Sequence, residues 1–138
     1  MSPEVLKHYP SKKFDRDLTF GKQGEEWLAN LKKVEVKRER DRWRQSGNIY
    51  IEVQCHGRDS GINATKADNW VHLLSHGEQV IGGIIVQTSV LQDSLNRLVR
   101  EDKARVRETH HEGDNPSVGL VIPYRFWGEL FFPNGTPL

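Results

Sequence analysis

At 138 residues the chain has the length of one domain with room for a single core. Its 20 Lys and Arg nearly balance 19 Asp and Glu; at a formal net charge of +1, only local clusters can argue for nucleic acid. A single cysteine, Cys55, excludes an intramolecular disulfide and a cysteine-rich zinc site. The longest apolar run, Val80–Val86, is broken by Gly82 and Gly83 and falls far short of the ~20 residues that span a bilayer. The start, Met1-Ser2-Pro3-Glu4, has no apolar signal core. The expectation is a soluble, cytoplasmic protein.

Residues 1–18 show no clear period. Asp17 or Thr19 is placed to cap a helix that runs to Leu31 or Lys32, with Phe20, Gly24, Trp27, Leu28 and Leu31 as its buried stripe. Gly21 and Gly24 each cost ~1 kcal/mol of helix propensity relative to Ala, which predicts close packing there. Lys33–Lys37 then alternates as a strand, Val34 and Val36 on one face, Glu35 and Lys37 on the other. A charged connection, Arg38–Gly47, leads to Gly47–Glu52 and on to Gln54. There Ile49, Ile51 and Val53 alternate with Tyr50, Glu52 and Gln54. Pairing the two strands as an antiparallel hairpin, valines and isoleucines buried together, puts Glu35, Lys37, Tyr50 and Glu52 on one face.

Cys55–Ser60 reads as a loop. Thr65 with Asp68 resembles a capping box for a second helix, 65–76, with Ala64, Ala67, Trp70, Val71 and Leu74 as its apolar face and Gly77 as its stop. Gln79–Gln87, rich in Ile and Val, reads as a buried strand. Ser89 with Gln92 opens a third helix, Val90–Arg107, with Leu91, Leu95, Leu98, Val99 and Val106 as its stripe. Thr109–Pro116 is a polar loop; its His110, His111, Glu112 and Asp114 lack the spacing of a helical metal site. Residues 118–132 hold one or two short strands split at Pro123 and Gly128. The order predicts one α/β or α+β domain, 1–138, with a mixed β-sheet flanked by helices.

Four segments in series carry a resemblance. They are Gly21-x-x-Gly24-Glu25, Val34-Glu35-Val36-Lys37, Ser46-Gly47-Asn48-Ile49-Tyr50-Ile51-Glu52 and Ser60-Gly61-Ile62-x-x-Thr65-x-Ala67-Asp68-x-Trp70. In that order they resemble the PD-(D/E)XK nuclease superfamily, most of all small phage-type members akin to Holliday-junction resolvases and restriction-like endonucleases. The resemblance covers about Asp17 to Leu74 and implies a restriction-endonuclease-like core. It also implies Mg²⁺- or Mn²⁺-dependent hydrolysis of DNA, branched or single-stranded. Glu35 and Lys37 match the Glu-x-Lys signature, and Glu25 matches the helix glutamate of resolvase-like members. Glu35, with the Val36 carbonyl, would hold the ion while Lys37 orients water or offsets phosphate charge. The strand Asp that usually precedes Glu-x-Lys is missing, and Glu52 or Asp17 is the candidate substitute. A second alignment takes Glu35 as that acid and Glu52-Val53-Gln54 as the signature. A scaffold without the Asp also suits a DNA-binding accessory protein that has lost catalysis.

The residues make a case of their own. Phosphodiester hydrolysis needs a hard cation, and Mg²⁺ accepts one or two carboxylates plus waters and substrate oxygens. Lys32 to Arg44 holds seven basic and three acidic residues, 7 − 3 = +4 locally. Within it Arg38, Arg40, Arg42 and Arg44 suit phosphates, and Trp43 suits stacking on a base. Thr65 and Lys66, at a helix start, are a further phosphate candidate. A junction substrate would favour a two-fold homodimer.

Overall fold

The computed structural model describes residues 11–109 and 116–135, with side chains from Asp15 on. The loop of His110, His111, Glu112 and Asp114 lies outside the described residues. Contacts divide the chain into two compact units, Met1–Lys32 and Lys33–Leu138.

The first unit carries α1 (Ser11–Ala29), which begins well before Asp17. Asn30 closes it, its backbone and side-chain amides both donating to the Glu26 carbonyl. The expected buried stripe is not buried: Phe20 is 77% exposed, and Trp27 and Leu28 are about half exposed. Within this unit a Cβ at Gly21 or Gly24 would meet nothing within 4 Å.

The second unit is mixed α/β with two sheets. One is three-stranded and mixed: β1 (Val34–Glu39) lies parallel to β4 (Asn69–His76), which pairs antiparallel with β5 (Gln79–Gln87). The other is antiparallel, built from β2 (Asn48–Cys55), β3 (Arg58–Asp59), β6 (Arg105–Thr109) and β7 (Ser117–Pro123), in the order β3-β2-β7-β6. A short helix, α2 (Arg42–Ser46), joins β1 to β2, and α3 (Thr88–Arg100) follows β5. The core takes Ile49 and Ile51 from β2, Trp70 from β4, Leu91, Leu95 and Leu98 from α3, and Leu120 and Ile122 from β7.

Four expectations give way. The hairpin of β1 with β2 does not form, because β1 takes β4 as its partner and β2 takes β7. The connection is no tight turn: α2 ends at Gly47, at φ +71°, whose carbonyl accepts the Tyr124 amide and turns the chain into the other sheet. The segment expected as a helix over 65–76 is instead β4 from Asn69 onward. Thr65 therefore caps no helix; its Oγ1 accepts the amide of Ala67, 3.1 Å away. Gly77, at φ +60°, is the first residue of the two-residue β4–β5 hairpin rather than a helix stop. The third helix ends at Arg100, not Arg107. Asp102 adopts φ +59°, Leu98 O accepts the amides of Lys103 and Ala104, and Val106 passes into β6. β5 is a strand as expected, but a largely exposed one: Ile81 is 56% and Val80 47% exposed.

The burial of β1 is also reversed. Val36 is 54% exposed, while Glu35, Lys37 and Glu39 share the face on which Trp70 and His72 are buried. The valines look like a core face, but the interior side of this sheet is the charged one.

A buried ion cluster holds α3 to the 3-10 segment Tyr124–Phe131. Arg97 bonds Glu129 at 3.1 Å, Glu101, and the Phe132 carbonyl; Lys103 bonds Glu129 at 2.9 Å. Burial alone would raise the Glu129 pKa, but Lys103 and Arg97 outweigh it and hold the carboxyl below its usual range. Burial would likewise lower Arg97, and Glu101 and Glu129 outweigh it in the other direction.

Candidate functional site

The site follows from the pairing that fails. Along Asn48–Val53, β2 has β7 on one side and no strand on the other, since β3 reaches only Gln54 and Cys55. β1 likewise pairs only with β4. Where the two strands approach without pairing, a cleft of about 230 Å³ opens, lined by Lys37, Arg38, Glu39, Tyr50, Glu52 and His72. Three of the four residues expected to share a face, Lys37, Tyr50 and Glu52, thus do meet, across a gap between two sheets.

Glu39 closes the bottom of this gap. Its Oε1 accepts the Tyr50 amide at 2.5 Å, serving a strand N–H that has no ladder partner. The same oxygen lies 2.9 Å from His72 Nε2. The Trp70 indole N–H, which can only donate, lies 3.3 Å from His72 Nδ1. His72 therefore accepts at Nδ1 and donates from Nε2 to Glu39. The imidazole is 3% exposed and has both nitrogens in use, so it positions Glu39 rather than meeting a ligand.

Glu35, the fourth, is not among the lining residues; it stands beside the cleft and bonds Lys37 at 2.9 Å, the two side chains 36% and 42% exposed. Lys37 Nζ also stands 5.9 Å from the Trp70 ring centroid. Solvent reaches both charges, and a phosphate or a cation could exchange for either partner. Val36 between them points its side chain the other way.

The quoted segments explain one another sterically. Gly61 sits at φ +51°, and a Cβ there would come 2.1 Å from the Glu52 carbonyl oxygen, so only glycine lets this turn close on β2. The Asp68 amide donates to Lys33 O at 2.9 Å, just ahead of the β1–β4 register Glu35↔Trp70 and Lys37↔His72.

The predicted nucleic-acid contacts separate. Arg38 is engaged, bonding Ser75 Oγ at 2.6 Å and Glu78 O at 2.5 Å. Trp43 donates its indole N–H to Ser75 O at 2.8 Å and tilts against Trp127, with ring centroids 6.1 Å apart. Arg40, Arg42 and Arg44 are exposed, and their side chains have no hydrogen-bond or ion-pair partner among the described residues. Lys66 is exposed beside the Thr65 turn. Asp17 and Glu25 stand exposed on α1; the cleft is built from residues 33–138 alone.

Among the described residues, no group of three or more His, Cys, Asp or Glu side chains comes together to hold a metal ion. That donor set does not suit a protein cage of zinc or calcium type. Glu35, or Glu52 across the cleft, suits an ion of magnesium type, whose shell is completed by water and substrate oxygens.

Sequence reasoning missed Glu39 and His72. The signal for Glu39 was present: the alternation that joins Glu35 to Lys37 runs one step further. His72 carried none, since a polar residue at a core position reads as a break in the pattern.

Fold and cleft together define a mixed α/β protein with two sheets and a charged groove between their strand edges. No family model, curated protein or solved structure matches the chain. No helix among the described residues is long and apolar enough to cross a membrane.

Proposed function

We propose that the chain is a metal-dependent endonuclease of the PD-(D/E)XK class that hydrolyses phosphodiester bonds of branched or single-stranded DNA at the Glu35–Lys37 pair beside the cleft. One observation carries this reading. Segments far apart in sequence are built around one groove: Lys37, Tyr50, Glu52 and His72 line it, Gly61 packs on the Glu52 backbone, and Asp68–Trp70 pair with Lys33–Glu35 beside it. The bound ion would polarise the phosphate and acidify a water. Glu35 would hold that ion, with Glu52 the acid in the cleft lining that, unlike Glu39, has no side-chain partner among the described residues. Lys37, released from Glu35, would offset phosphate charge. Glu39, fixed by His72 and the Tyr50 amide, keeps the cleft floor in place.

A second reading is favoured by a different observation. The Glu35–Lys37 pair is self-satisfied, and no three metal-ligating side chains gather among the described residues. A DNA-binding accessory protein that has lost hydrolysis fits that arrangement. Cleavage of duplex, single-stranded and four-way-junction DNA with Mg²⁺ or Mn²⁺, by wild type and Lys37→Ala, separates the two. The nuclease reading expects ion-dependent cleavage that Lys37→Ala abolishes. Salt-sensitive binding, with no cleavage and no calorimetric Mg²⁺ or Mn²⁺ site, would establish the accessory role instead.

A further inference from the structure

A second cleft, of about 240 Å³, lies on the other side of Glu39 and Tyr50. Its lining includes Arg42, Ser46, Asn48, Arg107 and Thr109. The first cleft also counts Glu39 and Tyr50 in its lining, so the two share a wall. Strand register explains why Arg107, far away in sequence, belongs here. Tyr50 pairs Val121, Glu52 pairs Gly119, Arg107 pairs Gly119 and Thr109 pairs Ser117. Alternation therefore sets Tyr50, Glu52, Arg107, Thr109 and Ser117 on one face of the antiparallel sheet, opposite buried Ile49, Ile51, Leu120 and Ile122.

That face is polar and ordered. Tyr50 Oη lies 2.8 Å from Ser117 Oγ, which lies 2.6 Å from Thr109 Oγ1. The Tyr50 ring lies over Gly119, where a Cβ would come 2.2 Å from the ring. Arg42 and Arg107 are both exposed, and their guanidiniums have no ion-pair or hydrogen-bond partner among the described residues. The one carboxylate in the lining, Glu39, is already held by His72 and the Tyr50 amide. Two guanidiniums unpaired among the described residues, beside hydroxyl groups in a cleft, make a site for a phosphate oxygen cluster.

We infer that Arg42 and Arg107 form a phosphate subsite, and that a single nucleic-acid strand runs from it across Tyr50 to Lys37. This path rests on the nucleic-acid part of the proposed function and not on hydrolysis. Arg supplies planar, bidentate contacts to phosphate, while Tyr50 offers the strand an edge and a hydroxyl.

The test is anisotropy of a labelled thymidine oligonucleotide with the full chain, in EDTA and over a range of salt. Arg42→Gln and Arg107→Gln should each weaken binding several-fold. Each should also lower the slope of log K against log salt by about 0.7, the value for one single-strand phosphate contact. Because both serve one phosphate, the double variant should lose less than the product of the two, and a fully multiplicative loss would overturn the shared subsite. Arg100→Gln, at the exposed end of α3, should bind as wild type. Wild-type affinity and slope in Arg107→Gln would overturn the subsite, whatever cleavage assays show. Inorganic phosphate should compete only far above the oligonucleotide concentration; competition at equal concentration would assign the pocket to a small anion and overturn the strand path. Loss of cleavage in Lys37→Ala with binding intact would strike neither arginine, so the two proposals fail separately.

Discussion

The molecule holds two clusters of charged side chains that use the same residue types to opposite ends. Around Arg97, cations and carboxylates saturate one another: Arg97 and Glu129 are 6% and 9% exposed, and Lys103 and Glu101 complete the set. Around Glu35 and Lys37, a single ion pair stands a third or more exposed beside a cleft, with the Arg42 and Arg107 side chains, in the adjoining cleft, unpaired among the described residues. A closed cluster binds the chain to itself. An open one keeps spare hydrogen-bonding capacity, which is what a ligand needs. Charge content alone does not distinguish them; burial and mutual satisfaction do.

The contrast breaks first at Glu129. Glu129→Gln strips buried Arg97 of one of its two carboxylates, leaving only the partly exposed Glu101, and should cost about 3 kcal/mol, read by urea unfolding. Because the folded Glu129 pKa is depressed, its contribution is full above the unfolded value of about 4.3 and fades as pH falls through the folded one. The gap between wild type and variant should therefore be widest at neutral pH and shrink in acid. DNA binding measured on the folded fraction should not change. A gap that grows toward low pH would contradict the assigned ion cluster.

Gly61→Ala comes next. The new methyl meets the Glu52 carbonyl in a left-handed backbone, and the loss should exceed about 1 kcal/mol. Because the strain falls on β2, oligonucleotide binding should weaken as well. Unaltered binding in a destabilised protein would detach this turn from the site. Tyr50→Phe removes the bond to Ser117 and should cost about 1 kcal/mol or less, seen as a small shift in thermal midpoint. Smallest is the effect of Glu35→Gln on folding. An exposed pair contributes about 0–1 kcal/mol, so its unfolding curve should nearly overlay that of wild type.

Much of this was legible in the sequence, for identifiable reasons. β2 announced itself because Ile49 and Ile51 alternate cleanly with Tyr50 and Glu52. The Leu91, Leu95 and Leu98 stripe of α3 is buried as expected. β4 was hidden because His72 occupies a core position. Its polarity is satisfied by Trp70 and Glu39, so the two-residue period vanished and a helical spacing of Ala64, Ala67, Trp70, Val71 and Leu74 took its place. β6 was hidden because an exposed edge strand carries no burial pattern. Strand partners were the least legible. A nearby hairpin looked sufficient, but β1 and β2 each pair with strands distant in sequence, and the groove exists because they do.

The central claim is that the open pair works on substrate while the closed cluster works on the fold. Manganese-dependent cleavage of a single-stranded and a junction DNA by Glu35→Gln, with thermal unfolding of the same sample, tests it most directly. The account predicts at least about a 100-fold loss of rate with an unchanged midpoint. Cleavage at the wild-type rate, or a loss that only tracks unfolding, would contradict it.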